Sequence, residues 1–428
     1  MKHSHAFRTI ASLLVLLAAI GSAAAQSLVV PGARVAVVGD SITEQKLYSK
    51  FIEVYLLACT GVPDVRVFQF GWGGETAAGF AARLENDLGF FQPTVVTLCY
   101  GMNDGGYRPY DEQVGRNYET NMRNVLKKLP VVGVKSVVVG SPGAVDQYFF
   151  RPGQMLGERP AHEAYNDNLA HLRDIDRKLA EEFKQTFADV HQPMFDAMRK
   201  AQAALGKHYP VCGNDGFHPG PNGQLAMAYA FLKGLGVDGE VGRITIDLKG
   251  SPAASDGHEL VGGSGGSVEL RSSRWPFCFD GDAKNPGGTR SILPFLPFNE
   301  DLNRLTLVVK NLEAPKARVT WGGSKEFTRE QLAAGVNLAA EFEQTPFDAH
   351  FQRFVAAVGA KQNFETYVIK QLVTNFRSVP VELKADAQFQ SAVDTLKSRL
   401  AEHHAKLEHQ ARQLLVPVNH TIRVEPLP

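Results

Sequence analysis

The sequence predicts an α/β protein: a parallel sheet with helices on both faces, then a small β-rich domain and a helical C-terminal region. Between residues 34 and 236, short apolar runs alternate with longer amphipathic stretches. After Val237 the composition changes to strand-like runs separated by glycine-rich loops, and after Thr328 apolar residues recur at helical spacing. Because 428 residues exceed what one hydrophobic core usually organises, we expect several domains, with limits at 27–238, 239–325 and 326–428.

The apolar runs of the first half are predicted to be strands of that sheet. Most are rich in β-branched residues and almost continuously apolar, as strands buried on both faces must be. They are Val35–Val38, Val65–Phe70, Thr94–Tyr100, Ser136–Gly140 and, more weakly, Phe187–Val190.

The stretches between these strands show helical spacing, which makes the repeating unit β–α–β. They are 46–59, 77–88, 111–129, 161–183 and 193–205. Such units form parallel sheets with right-handed crossovers, and ligands bind beyond the carboxyl ends of the strands. A functional site is therefore expected at that edge of the sheet.

The second half is predicted to contain two further regions. Strand-like runs within 239–325 indicate the β-rich domain. Helical patterns over 351–376 and 389–414 suggest a hairpin, and the apolar stripe of the second predicts burial. Residues 421–424 are expected to form a short closing strand that returns to the β-rich domain.

Residues 1–25 are typical of a signal peptide. Lys2 and Arg8 precede an uncharged apolar stretch, and Ala23–Ala25 offer small residues for cleavage. The stretch is too short to span about 30 Å of hydrocarbon as a membrane anchor. We therefore expect export to the periplasm or medium of a bacterium, without stable membrane insertion.

The charge and cysteine content exclude some functions. Lys+Arg and Asp+Glu both number 45, so no bulk charge favours nucleic acid as a partner. Cys59 and Cys99 lie in apolar runs and are expected to be buried free thiols. A bridge between Cys212 and Cys278 is an open alternative to free thiols there, and no pair has zinc-ligand spacing.

Ser41 is the candidate nucleophile. It lies where the first strand ends and a helix begins, so backbone N–H groups and the helix dipole can stabilise an alkoxide-like intermediate. An ordinary helix N-cap is the alternative for Asp40 and Ser41.

Asp215 and His218, three residues apart in a loop, are the candidate orienter and base, because serine needs a base to take its proton. A surface turn with a solvated histidine is the alternative there.

Three groups are candidates for the oxyanion hole: the N–H of Ser41, the N–H of Gly74 and the side-chain amide of Asn103. Gly74 and Asn103 could equally belong to ordinary turns. Asp40, Trp72, Tyr148 and Phe149 are further candidates for the substrate pocket, and the loop of Tyr148 could instead serve domain packing.

We predict no metal site: Asp280–Asp282 is interpreted as a turn rather than a calcium loop, because Lys284 occupies a ligand position. His403, His404 and His409 are interpreted as solvated or packed.

In these motifs the chain resembles the SGNH hydrolases, also called the GDSL esterase/lipase family. The matching residues are Ser41, Gly74, Asn103 and His218, with Asp215 three residues before the histidine; the first block reads Gly-Asp-Ser-Ile rather than Gly-Asp-Ser-Leu. The resemblance covers about residues 33–236 and implies a flavodoxin-like α/β/α fold.

The function predicted from the site and the resemblance is that of an exported serine esterase that needs no cofactor. Its expected substrate is a small acyl ester, with O-acetylated carbohydrate favoured by family analogy, export and the added β domain. An SGNH-type O-acyltransferase and a catalytically silent carbohydrate-binding protein are the alternatives. Oligomeric state does not follow from the sequence.

Overall fold

The computed structural model describes residues 27–428. The predicted signal peptide, residues 1–25, lies outside the described residues. The strands are β1 (Arg34–Gly39), β2 (Arg66–Gly71), β3 (Val95–Cys99), β4 (Ser136–Gly140), β5 (Met155–Leu156), β6 (Arg159–Pro160), β7 (Thr186–Ala188), β8 (Glu240–Asp247), β9 (Ala253–Ala254), β10 (His258–Gly262), β11 (Ser267–Ser272), β12 (Arg304–Lys310), β13 (Lys316–Trp321), β14 (Gly323–Thr328), β15 (Val336–Asn337) and β16 (Val418–Leu427).

The α-helices are concentrated around the first sheet and in the C-terminal region. They are α1 (Ser41–Glu44), α2 (Tyr48–Ala58), α3 (Ala77–Phe91), α4 (Glu112–Lys128), α5 (Ala161–Glu182), α6 (His191–Leu205), α7 (Pro221–Gly234), α8 (Phe298–Leu302), α9 (Arg329–Ala334), α10 (Leu338–Glu341), α11 (Asp348–Tyr367), α12 (Val381–Ala385) and α13 (Ala387–Arg412). A π-helical turn, Val368–Leu372, continues α11.

The first sheet is parallel and has the order β2-β1-β3-β4-β7. Along β1, Val35 and Val37 belong to one hydrophobic cluster, and Ala36 and Val38 belong to another on the opposite face. Helices α2, α6 and α7 contribute to the first cluster, whereas α3 and α4 contribute to the second. The predicted three-layer α/β/α architecture with a parallel sheet is confirmed. It places the carboxyl ends of β1, β2 and β3 side by side.

Two further sheets form the β-rich part of the protein. One is antiparallel with the order β10-β11-β16-β13-β14, and the other has the order β15-β12-β8-β9. The closing strand is longer than expected and lies at the centre of its sheet, paired with both β11 and β13. The predicted domain limits stay predictions, although β14 runs across the limit at residue 325.

The C-terminal helices α11 and α13 pack together and cover β2, one of the two edge strands of the parallel sheet. Lys361 Nζ donates a hydrogen bond to the Val67 carbonyl (2.7 Å), and the Gln69 N–H donates to Glu365 Oε2 (2.9 Å). Side chains of α11 thus replace a neighbouring strand, which protects the edge from pairing with another chain.

A buried charge cluster holds this helix in place. Lys361 Nζ lies 2.9 Å from Glu53 Oε1 and 2.6 Å from Glu365 Oε1, and His404 Nε2 is also 2.6 Å from Glu365 Oε1. All four side chains are at most 2% exposed. His404 is therefore packed, one of the two outcomes expected for the histidines of α13.

The expectation that the apolar stripe of α13 is buried is wrong at Leu396. Leu396 is 42% exposed, and the buried residues of the helix are His404 and Ala411, both in its second half. The other apolar residues of the stripe are half-buried, and Phe389 and Val393 line a cleft shared with Phe376.

All four cysteines are buried free thiols, as expected for Cys59 and Cys99. The alternative of a bridge between Cys212 and Cys278 is wrong: Cys212 Sγ packs 3.6 Å from Met198 Sδ, and Cys278 Sγ contacts Thr345 Oγ1 at 3.5 Å.

Within residues 27–428, the helices include none with the length and apolar character needed to cross a membrane.

Candidate functional site

Ser41 begins helix α1 directly beyond the end of β1. The Asp40 carboxylate caps this helix by accepting a hydrogen bond from the Ile42 N–H (2.9 Å). Gly39 must be glycine because a Cβ there would lie 2.2 Å from Thr43 Oγ1 and 2.7 Å from the Cys99 carbonyl oxygen. This close approach lets the strand turn at once into the helix that presents Ser41.

The prediction that Asp40 lines the substrate pocket is wrong. Its side chain is directed into the protein to cap α1, and the residue is only 3% exposed. Burial raises the pKa of Asp40 to about 7, although the hydrogen bond from Ile42 favours the ionised form. Asp40 therefore supports the local structure rather than contacting a ligand.

The structure brings Ser41, His218 and Asp215 together. Ser41 Oγ lies 2.8 Å from His218 Nε2, and His218 Nδ1 lies 2.6 Å from Asp215 Oδ2. Ser41 and His218 are 177 positions apart in the sequence, and they meet because both side chains project over the same edge of the sheet. This arrangement can pass a proton from the hydroxyl to the imidazole.

Asp215 also organises the loop that carries the histidine. Its Oδ1 accepts hydrogen bonds from the N–H groups of Phe217 (3.1 Å) and His218 (3.0 Å). Partial burial would raise the pKa of Asp215, but the hydrogen bonds from His218 and Phe217 outweigh it and lower the pKa below its ordinary value. The carboxylate is therefore ionised at neutral pH and faces the imidazole as an acceptor.

The Gly74 N–H lies in a tight turn after β2, in which the Glu75 N–H donates to the Trp72 carbonyl (3.1 Å). Gly74 has a φ of +72°, a conformation that favours glycine. A Cβ at this position would meet nothing within 4 Å, so backbone conformation rather than crowding inside the protein explains the glycine. Among residues 27–428, no acceptor is hydrogen-bonded to the N–H of Gly74 or Ser41, so both are available to a ligand.

Asn103 is held on the neighbouring loop after β3. Its amide Nδ2 donates to the Glu75 carbonyl (3.0 Å), and its Oδ1 accepts from the Tyr107 hydroxyl (2.9 Å). This second bond fixes which way the amide points. The remaining N–H of the amide is the donor available for an oxyanion.

Asp104 is a structural residue to which the sequence analysis gave no role. Its two carboxylate oxygens accept from the N–H groups of Ala77 (3.0 Å) and Gly101 (3.1 Å), which ties the start of α3 to the loop that carries Asn103. Burial raises the pKa of Asp104 to about 6, against the effect of these hydrogen bonds. The only signal in the sequence was an aspartate next to Asn103, which an ordinary turn explains equally well.

Aromatic side chains border His218. The Phe217 ring centroid is 4.2 Å from that of His218, and Phe217 contacts Tyr107 (5.4 Å) and Phe150 (6.2 Å) edge-on. The segment 146–150 packs on the histidine loop, since the Asp146 N–H donates to the Gly216 carbonyl (2.8 Å).

The other pocket candidates are placed differently. Tyr148 and Phe149 are half-buried against His208, at 5.8 and 6.2 Å between ring centroids. Trp72 is half-buried, with the cationic groups of Arg83 (4.9 Å) and Lys370 (5.1 Å) near its ring centroid. Contact of these three residues with a substrate stays a prediction.

The segment interpreted as a turn is held by Asp282, whose Oδ1 accepts hydrogen bonds from the N–H groups of Lys284 and Asn285 (both 2.8 Å).

Comparison with known proteins assigns the first half of the chain to a class of enzymes. Residues 37–226 match the GDSL-like lipase/acylhydrolase family. The chain therefore contains a GDSL-like lipase/acylhydrolase domain, which confirms the resemblance deduced from its motifs. The domain is that of a carboxylic ester hydrolase.

Three solved structures are similar to this chain to different extents. A gut microbial diltiazem-metabolizing enzyme is 21% identical, with a TM-score of 0.67, over 93% of this chain and 98% of its own. An alpha/beta hydrolase from the metagenome of Lake Arreo, Spain, is 21% identical (TM-score 0.40, 50% and 99% covered). An acetylxylan esterase from Geobacillus stearothermophilus is 22% identical (TM-score 0.38, 49% and 96% covered). The sequence matched no curated protein. The similarity to the diltiazem-metabolizing enzyme covers 93% of this chain, so the shared fold includes the β-rich and C-terminal regions.

Proposed function

We propose that this protein is a serine esterase in which Ser41 is the nucleophile, His218 the general base and acid, and Asp215 the residue that orients His218. The observation that carries the proposal is the continuous chain of hydrogen-bond distances, 2.8 Å from Ser41 Oγ to His218 Nε2 and 2.6 Å from His218 Nδ1 to Asp215 Oδ2. Serine is a weak nucleophile without a base, and this geometry supplies one.

The reaction proceeds in two halves. Ser41 Oγ attacks the ester carbonyl while its proton moves to His218 Nε2, and the tetrahedral intermediate collapses when the imidazolium returns that proton to the departing alkoxide. Water then attacks the acyl-serine with the same proton transfers, releasing the acid and restoring Ser41. Asp215 stays ionised and stabilises the imidazolium in both halves. These steps require no metal or organic cofactor.

Negative charge on the carbonyl oxygen is stabilised by the N–H groups of Ser41 and Gly74 and by the Asn103 amide. The two backbone donors have no acceptor of their own within residues 27–428, and Asn103 keeps one N–H for this purpose. Preorganised donors of this kind commonly contribute about 3–4 kcal/mol each to transition-state stabilisation.

The proposed substrate is a small acyl ester, and the specific candidate is an O-acetyl group on a carbohydrate. The side chains of His218 and Asp215 are 26% and 48% exposed, so the reacting groups are open to an ester carried on a large alcohol. Clefts of about 610 and 510 Å³ elsewhere on the protein are not lined by Ser41, His218 or Asp215, so neither cleft is the acyl site. A panel of acetylated xylan, pectin, chitooligosaccharides and peptidoglycan, scored for acetate release, tests the carbohydrate proposal.

Export is part of the proposal and depends on residues 1–25 alone. The whole chain, expressed in a bacterium, should appear in the periplasm or medium with an N-terminus near Gln26, as measured by intact mass. A full-length protein confined to the cytoplasm would contradict it.

Hydrolysis of p-nitrophenyl acetate tests the nucleophile. The wild-type protein should release p-nitrophenol, and Ser41→Ala should abolish this release, whereas Ser251→Ala, a change at an exposed serine, should leave it unchanged. Activity retained by Ser41→Ala would refute the assignment. Transfer of acetate to an added oligosaccharide, seen as a mass gain, would identify an acyltransferase instead. Glycan binding without turnover of any ester would identify a silent binding protein.

A further inference from the structure

We propose that Glu44 and Lys370 are positioning residues that hold the Gly74 N–H in the oxyanion hole, and that the C-terminal region is thereby part of the catalytic machinery. This inference rests on the proposed function, in which Gly74 is an oxyanion donor. Glu44 is the last residue of α1, the helix that begins with Ser41. Its carboxylate therefore stands three residues from the nucleophile.

Glu44 connects the nucleophile's helix to the turn that carries Gly74. Its Oε2 accepts a hydrogen bond from the Gly73 N–H. The Trp72 N–H donates to the Gly39 carbonyl (3.0 Å), and the Glu75 N–H closes the turn on the Trp72 carbonyl (3.1 Å). Three of the four N–H groups in the turn are thus occupied by the protein, and the N–H of Gly74 is the one without an acceptor among residues 27–428. Losing the bond to Glu44 would free the turn to rotate.

Lys370 neutralises that carboxylate from the C-terminal region. Its Nζ lies 2.6 Å from Glu44 Oε1 and 5.1 Å from the centre of the Trp72 ring. Within residues 27–428 it is the only cationic group within 4 Å of the Glu44 carboxylate, because Lys46 Nζ donates to the main-chain carbonyl of Glu44 instead (2.8 Å).

The path of the backbone explains how Lys370 reaches this place. It lies in the π-helical turn Val368–Leu372, whose Val368 and Ile369 are buried. A π-turn inserts an extra residue into a helix and is frequent at functional sites. Here it follows α11, which is anchored to the edge strand β2, and directs a lysine toward the loop that leaves that strand.

The charge of Lys370 matters because negative charge develops nearby during catalysis. An unpaired Glu44 carboxylate would repel the negative charge of the oxyanion that forms beside Gly74. This repulsion would raise the free energy of the transition state. Since substrate in the ground state carries no such charge, the loss should fall on kcat rather than on KM.

The experiment measures kcat and KM for p-nitrophenyl acetate, together with the melting temperature. The variants are Lys370→Met, Lys370→Arg, Glu44→Gln and the double variant Glu44→Gln with Lys370→Met. Lys406→Met, at an exposed lysine of α13, is the matched control. We expect Lys370→Met to lower kcat about tenfold with KM within twofold, and Lys370→Arg to recover most of the loss. Glu44→Gln keeps an acceptor for the Gly73 N–H but no charge, so the double variant should be at least as active as Lys370→Met alone.

The inference would be overturned by a wild-type kcat in Lys370→Met, or by losses that multiply in the double variant. A loss of kcat matched by a lower fraction of folded protein, as measured by active-site titration, would also overturn it. Ser41→Ala, assayed in parallel, separates this inference from the proposed function. If Ser41→Ala is inactive while Lys370→Met is unaffected, only the positioning role fails; if Ser41→Ala is active or the wild type is inactive, both fail.

Discussion

Replacing Asp215 by asparagine separates the two tasks of its carboxylate. Oδ1 accepts from the N–H groups of Phe217 and His218 at 3.1 and 3.0 Å, and the amide oxygen of an asparagine can keep both bonds. Oδ2 faces His218 Nδ1 at 2.6 Å, and the asparagine would present an NH₂ donor there. The loop should therefore keep its shape while the histidine loses its acceptor.

The consequence for catalysis is the wrong tautomer of His218. With a donor facing Nδ1, the ring proton moves to Nε2, which lies 2.8 Å from Ser41 Oγ and can then no longer accept the serine proton. We expect kcat to fall about 10⁴-fold, which corresponds to about 5 kcal/mol of lost transition-state stabilisation. The melting temperature should change little, because the bonds that shape the loop are kept.

The assay is steady-state hydrolysis of p-nitrophenyl acetate alongside thermal unfolding. Asp256→Asn, at an exposed aspartate of the β-rich region, is the control and should behave as wild type. A kcat for Asp215→Asn within tenfold of wild type, in a folded protein, would show that Asp215 does not set the tautomer of His218.

Three further predictions test other parts of the structure. Asn103→Ala should lower kcat about 10²–10³-fold in the same assay, because it removes one oxyanion donor; a wild-type rate would remove Asn103 from the oxyanion hole. Lys361→Met should lower the free energy of unfolding by about 3–5 kcal/mol, as measured with urea, because it leaves Glu53 and Glu365 as uncompensated buried carboxylates. An unchanged urea midpoint would contradict this stabilising role of Lys361. Burial raises the pKa of Asp40 from 3.8 to about 7, so the folded state holds the proton more tightly than the unfolded state, and wild-type stability should fall as pH rises through this window. Asp40→Asn has no carboxyl group to ionise at this position, so it does not lose stability in this way. Because each pKa unit corresponds to about 1.4 kcal/mol, its stability relative to wild type should improve by about 4 kcal/mol between pH 4 and pH 8. A stability difference that does not vary with pH would contradict the effect of burial on Asp40.

The parallel sheet could be predicted because its strands are buried on both faces. Continuous apolar, β-branched runs such as Val35–Val38 are recognisable without knowledge of their neighbours, and each is followed by a helix of adequate length. The candidate triad could be predicted for a related reason. Ser41 follows a strand directly, and the carboxyl ends of parallel strands share one edge, so a distant loop carrying His218 had a defined place to meet it.

The role of the C-terminal region could not be predicted, because it depends on which surface the helices cover. Lys361 reads as a solvated residue of an amphipathic helix, yet it is buried against the carbonyl edge of β2. Leu396 reads as core and is exposed. Periodicity reports which face of a helix is apolar but not whether a partner is present. Similarly, the central place of β16 in its sheet requires pairings between strands about 100 and 150 residues apart in sequence.

Labelling with a fluorophosphonate tests whether Ser41 is an activated nucleophile, because this reagent forms a stable phosphonyl ester with an activated serine. We expect one adduct per chain, on the peptide that contains Ser41, with none on Ser41→Ala and labelling slowed at least a hundredfold in His218→Ala. An adduct on a different serine, or labelling of Ser41 at an equal rate in His218→Ala, would contradict it.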